Sequence, residues 1–232
     1  SHNLGSVPGM IIVKRVDGQG DWYVYHRNTG NNKITYLNDT GASATNVSWN
    51  NTDPTSTEFT VSNASTTNGN GQTFVAYLFA HDAQDFGTDS DESIIKCGSI
   101  STDGVGQFTD VDLGFEPQWV LLKRSNGVSD WFIYDTMRGI GAPAVSQNAL
   151  RANSSQAESA TASISINASG LVAYDNYHLE SNSTYIYVAI RRPHKPAEEF
   201  AATDLFGIDT RFSPRPKQRT HRLTTTQAFQ SI

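Results

Sequence analysis

HNLGSVPGMIIVKRVDGQGDWYVYHRNTG, residues 2–30, returns in altered form as VDLGFEPQWVLLKRSNGVSDWFIYDTMRG, residues 111–139. At a constant offset of 109 the two stretches share ten identities over 29 positions without a gap. They are Leu4/Leu113, Gly5/Gly114, Pro8/Pro117, Lys14/Lys123, Arg15/Arg124, Gly18/Gly127, Asp21/Asp130, Trp22/Trp131, Tyr25/Tyr134 and Gly30/Gly139. In the strands, Met10/Trp119, Ile11/Val120, Ile12/Leu121, Val13/Leu122, Tyr23/Phe132 and Val24/Ile133 exchange one apolar or aromatic residue for another. A register held this long marks an internal duplication. The period is too long for a solenoid unit of roughly 20–50 residues and suits a duplicated sandwich module of about 100 residues.

Each copy reads as a hairpin. MIIVKR and WVLLKR are short runs apolar on both faces, as befits strands in the middle of a packed structure. DGQGD and SNGVSD supply Gly and Asn for a turn with positive φ, and WYVYH and WFIYD return as partner strands. Trp22, Tyr25, Trp119, Trp131 and Tyr134 are the expected core residues, an indole burying roughly 150–250 Å². Lys14-Arg15 and Lys123-Arg124 fall where strands leave the core and are expected to be solvated. QTFVAYLFAH (72–81) matches STYIYVAIRR (183–192) at an offset of 111, and YLNDTGASA from Tyr36 matches ALRANSSQAES from Ala149 more loosely.

The rest of the chain supports an all-β reading. Charged residues make up 17% of the 232, below the ~25% of an average globular protein, and Ser, Thr, Asn and Gly take their place. Such side chains compete with the helical backbone, and no window sustains an apolar helical period beyond about two turns. The expected fold is two tandem antiparallel β-sandwiches of jelly-roll or concanavalin-like type. The first repeat occupies residues 1–81, an acidic linker 82–92, the second repeat 93–193 and a Pro/Arg-containing arm 194–232. The second repeat has an opening strand candidate, ESIIKCGSIS (92–101), whose counterpart would precede Ser1. The first sheet is therefore expected to have a vacant edge that another segment or subunit covers.

Several chemistries are disfavoured. Cys97 is the single cysteine, which excludes an intrachain disulfide and a cysteine-based zinc site. The six histidines make no H-x-x-x-H or H-E-x-x-H spacing, and no G-x-S-x-G elbow is present. A DFG triplet at 85–87 lacks the other kinase motifs. No cofactor is implied, and a non-enzymatic protein is expected. No apolar run approaches the ~18 residues of a membrane span, and a soluble chain without a leader of its own is expected. Seven N-x-S/T triplets, including those at Asn38 and Asn153, are attributed to the abundance of these residues.

Three stretches are candidates for binding. Trp49, Asn51 and Asp53 in SWNNTDP, with Tyr174, Asp175 and Tyr177 in the second repeat, combine aromatic and hydrogen-bonding residues that suit a glycan. HDAQDFGTDSDES (81–93) carries Asp85, Asp89 and Asp91, oxygen ligands that could hold Ca²⁺, although the spacing is not that of an EF-hand loop. RFSPRPKQRTHR (211–222) places Arg211, Arg215, Lys217, Arg219 and Arg222 in one acid-free run; removing these five charges from the net −6 leaves −11 on the rest. This stretch reads first as an assembly arm on a neighbouring subunit. Nucleic acid is the least favoured partner, since the aromatic interleaving of a single-strand binder is missing.

The strings LGSVPGMIIVKR…DWYVYHR, GQTFVAYLFAHDAQDFG, IIKCGSISTDG, VDLGFEPQWVLLKRS…DWFIYDTMRG, the Ala157-Glu158 pair and STYIYVAIRRP together resemble virion structural proteins of tailed bacteriophages, of the kind common in marine and cyanobacterial phages. The resemblance covers about residues 2–200. It implies tandem jelly-roll-like sandwiches in a tail-fibre or other surface-exposed particle protein, located on the virion. It also implies self-association, with a trimer as a frequent fibre form, contacts with other virion proteins and a host-surface glycan as a candidate ligand. Such chains usually start upstream of HNLGSVPGM, and the arm beyond about Phe200 has no counterpart in the pattern. No catalytic residue is carried over. A lectin-like carbohydrate-binding module and a capsid-decorating protein are the alternatives.

Overall fold

Both copies of the duplicated cassette fold as antiparallel hairpins in the computed structural model, which describes residues 1–81, 93–141, 148–160, 164–173 and 179–192. In the first repeat β1 (Pro8–Arg15) turns into β2 (Trp22–His26), followed by β3 (Lys33–Tyr36) and β4 (Ala44–Thr45). A single helical turn, α1 (Ser65–Asn68), precedes β5 (Phe74–Ala80). The second repeat runs β6 (Ile95–Ser101), β7 (Val111–Asp112), β8 (Pro117–Arg124), β9 (Trp131–Asp135), β10 (Asn148–Arg151), β11 (Ser159–Ala160), β12 (Ile164–Ile166), β13 (Gly170–Ala173) and β14 (Thr184–Arg191).

The hairpin registers are the same. Lys14 stands opposite Trp22 in β1–β2, and Lys123 opposite Trp131 in β8–β9. The sheets extend the match: one is ordered β4-β3-β2-β1-β5 and the other β11-β10-β9-β8-β14-β6. A third sheet, β12-β13-β7, belongs to the second repeat alone. The fold is all-β, with antiparallel sheets packed in sandwich layers.

Side-chain alternation explains how the layers stack. Ile11, Val13, Tyr23 and Tyr25 face an outer cluster with Ile34 and Trp49. Their counterparts Val120, Leu122 and Tyr134 face the other outer cluster, closed by Ile164, Ile166 and Leu171 of the third sheet. The opposite parity, Met10, Ile12 and Val24 from the first repeat and Leu121 and Trp131 from the second, meets in one middle cluster with Cys97, Ile186 and Val188. The two repeats thus pack equivalent faces against each other and share a core, and residues 1–193 form one compact unit. Trp131 is fully enclosed in this layer while Trp22 and Trp119 pack at its margin, half-buried. Tyr25 and Tyr134 are buried in the outer clusters.

Two local expectations are corrected. Positive φ falls on the glycines flanking each hairpin, Gly5 and Gly114 (78° and 72°) and Gly30 and Gly139 (88° and 94°), and is not found at the glycines of the hairpin turns. Gly18 and Gly127 instead leave room for the Arg15 and Arg124 guanidinium groups, which lie where a Cβ would project. Lys123 is not a solvated strand end: it is buried, whereas Lys14 is half-exposed.

Candidate functional site

The duplicated polar residues make duplicated bonds. Arg15 Nε donates to Asp17 and Arg124 Nε to Asn126, at the same place in the two turns. Lys14 Nζ caps the carbonyl of Gly20, and Lys123 Nζ caps that of Ser129 at 2.8 Å. Trp22 N–H donates to Asn38 Oδ1 at 2.8 Å, while Asn38 Nδ2 donates to Asp21 at 2.9 Å. The second repeat repeats this clamp with Trp131 N–H to Asn153 at 2.7 Å and Asn153 Nδ2 to Asp130 at 2.7 Å. Asp130 also accepts from Arg151 at 2.9 Å. These polar groups satisfy turn backbone that would otherwise be left unpaired near the core.

Two buried ionisable groups sit between the repeats. Lys123 Nζ donates a second bond across to Thr40 O at 2.9 Å, and loss of solvent lowers its pKa to about 8 against the pull of Asp39 and Asp130. His26 is 1% exposed. Its Nδ1 accepts from Asn28 N–H at 3.2 Å, so Nε2 carries the proton and donates to Tyr187 O at 3.1 Å. Both nitrogens are committed to the neutral ring, and burial drives the pKa down to about 4. Perturbed groups of this kind often mark functional sites. Here each group makes one backbone bond within its own repeat and one across to the other, Lys123 to Thr40 O and His26 to Tyr187 O, which is a structural use.

The glycan candidate in the first repeat is changed by the structure. Trp49 is 2% exposed, packs edge-on against Tyr25 with ring centroids 5.8 Å apart, and donates its indole N–H to Lys33 O at 3.0 Å. It plugs the outer cluster where the second repeat has its third sheet, and offers no face on which a sugar could stack. Asn50 and Asn51 follow it in the left-handed region, φ 53° and 49°, a conformation Asn tolerates better than most residues. This bend carries the exposed Asp53 to a cleft of about 380 Å³, walled by Pro8 and Pro54 and shared with Tyr25, Arg27 and His81. Asn31 Nδ2 steadies the Asp53 carboxylate at 2.8 Å. Burial raises the Tyr25 hydroxyl to about 12, with the Asp53 charge adding to the effect. His81 Nδ1 accepts from Cys97 N–H at 3.1 Å, which orients the ring.

Of the expected glycan-binding residues that are described, Asp53 lines this cleft and Asn51 is exposed on the loop beside it. Tyr174, Asp175 and Tyr177, the aspartates at 85, 89 and 91, and the basic run 211–222 lie outside the described residues. Arg27 and His81 belong to no spacing motif in the sequence. The only signal was indirect: His26-Arg27 and Ala80-His81 are the ends of antiparallel neighbours of β1, so they converge near Pro8. Among the described residues no cluster of three metal-ligating side chains occurs, and no helix is long and apolar enough to cross a membrane.

The cleft joins an anion, a guanidinium, an imidazole and apolar walls, an arrangement suited to a small hydroxyl-bearing ligand. Comparison with known families matches residues 1–193 to the domain of unknown function DUF7483. The chain belongs to this family. Its span coincides with the compact unit of both repeats, so the DUF7483 unit here comprises the stacked pair rather than a single copy. No curated protein and no solved structure matches the chain.

Proposed function

We propose that the chain is a non-enzymatic structural protein of a phage particle, a tail-fibre or exterior appendage component that acts by assembly and by presenting loops outward. The observation that carries this reading is the shared middle layer. Two duplicated sheets meet through equivalent faces, and their polar residues are spent on matching turn clamps, which favours a stiff load-bearing body. The phage assignment itself rests on the resemblance of the two cassettes and their flanking strings. Immunogold labelling of purified particles with an antibody to residues 1–193 tests it. Label on tail or appendage is expected, label on the capsid shell would indicate a decorating protein, and particles free of the protein would refute the proposal.

The cleft at Asp53 favours a second reading, a lectin-like carbohydrate-binding module. Glycan-array binding by a monomeric chain, lost on Asp53→Ala with the fold intact, would establish it. An assembled chain without glycan binding would return the choice to the structural role.

A further inference from the structure

The first sheet ends at β5, whose outer edge has no strand beside it among the described residues, whereas its counterpart β14 lies between β8 and β6. The backbone directions of the two strands correspond. Val16 N–H donates to Thr73 O at 2.9 Å and Ser125 N–H to Thr184 O at 2.8 Å, so these two threonines point toward the hairpin strands. Alternation then aims the N–H and C=O groups of Phe74, Ala76 and Leu78 outward. In β14 the outward row is used: Tyr187 pairs with Gly98, Ala189 with Lys96, and Arg191 N–H donates to Ile94 O at 2.9 Å.

Burial records the difference. Residues 185–189 of β14 are all buried, whereas residues 74–79 of β5 are half-buried or exposed, with Tyr77 at 48%. The strand reads FVAYLFA, without a charge or a proline. Edges left open to water are ordinarily guarded by such residues. This one has the composition of an interior strand.

We infer that the outer edge of β5 is an acceptor for an extended peptide strand of the β6 type, running antiparallel to β5 and completing the first sheet as β6 completes the second. The inference stands on the duplication and is independent of where the protein resides. β6 shows what the incoming strand needs: Ile95 and Cys97 reach the middle layer and Ile100 the outer one. At one position the requirement is inverted. Gly98 lies under the Tyr187 ring, which fills the space of a Cβ. The counterpart of Tyr187 at the offset of 111 is Ala76, which presents only a methyl group. The incoming strand therefore carries a large apolar residue where β6 has glycine. Main-chain bonds supply affinity in such strand addition, and alternate side-chain pockets supply selectivity.

The test uses the full chain and a synthetic peptide of residues 93–101, SIIKCGSIS, with a second version carrying Gly98→Leu, followed by calorimetry and thermal melting. The leucine peptide is expected to bind about tenfold more tightly than its parent, as burial of a leucine allows, and to raise the melting temperature. N-methylation of the leucine peptide at Lys96, whose N–H faces the acceptor strand, is expected to abolish binding without altering the protein. Ala76→Pro, which removes one outward N–H and leaves the β1 ladder intact, should do the same in a chain whose circular dichroism is unchanged. Failure of the leucine peptide to bind, or binding indifferent to N-methylation, overturns the inference. A chain that dimerises alone, with dimers dissolved by Ala76→Pro, also overturns it, because a second copy would then be the occupant.

Discussion

Trp131 donates its indole N–H to the backbone carbonyl of Tyr36 at 2.7 Å, a bond from the second repeat into the first. Trp22, at the equivalent position, lies at the margin of the same layer and stacks on Tyr77 with centroids 6.3 Å apart. The duplication has kept the position and changed the depth.

That difference sets the first prediction. Trp131→Ala empties a fully enclosed site and removes the bond to Tyr36, and a loss of about 3–5 kcal/mol is expected. Trp22→Ala, at a half-exposed site, should cost about half as much. Denaturant unfolding of the two variants checks the order; equal losses would contradict the asymmetry.

The Asn clamps give the second. Asn153→Ala leaves the Trp131 N–H and the Asp130 carboxylate each short of a partner, and about 1–2 kcal/mol should be lost. Asn38→Ala, on the more exposed clamp, should cost less. Both Nδ2 groups are engaged with aspartates, so these two glycosylation triplets serve the fold. Modification at either would be expected to destabilise the chain, and melting of a glycosylated preparation measures it.

His26 gives the third. Its folded-state pKa of about 4 lies below the ordinary 6.5, so between those values the unfolded chain binds a proton that the folded chain does not. Its contribution is full above about pH 6.5 and is lost as the pH falls toward 4, by about 3 kcal/mol in all. His26→Gln retains a donor toward Tyr187 O and should flatten this part of the stability profile. Parallel profiles for the two proteins would show that the ring is not held neutral.

Trp49 gives the fourth. Because it is a plug, Trp49→Ala should lower stability by about 3–5 kcal/mol. Asp53→Ala should leave stability within about 0.5 kcal/mol and affect only ligands of the cleft. Unchanged unfolding of the Trp49 variant would return that residue to the surface.

The hairpins, the strand at 95–101 and the match of β5 with β14 were legible because apolar alternation and a fixed offset survive in the sequence. The stacking was not. Met10, Ile12, Trp119 and Leu121 read as apolar on strands apolar on both faces, and nothing in that pattern says which face meets the other repeat. The burial of Lys123 is hidden for a related reason: a lysine after an apolar run looks like a strand end, and its partner Thr40 comes from a distant loop. Trp49 looks exposed in the sequence because the residues around it are polar; only the third dimension shows the indole buried edge-on against Tyr25. The Asp53 cleft gathers Arg27 and His81 from separate strands, a convergence that short spacing motifs cannot report.

Hydrogen exchange on the Trp131→Ala variant, read strand by strand, tests the shared middle layer most directly. If the two repeats are held by one core, protection falls in β1 and β2 as well as in β8 and β9, and unfolding stays a single transition. Protection lost in the second repeat alone, with the first melting separately and unchanged, would contradict the account.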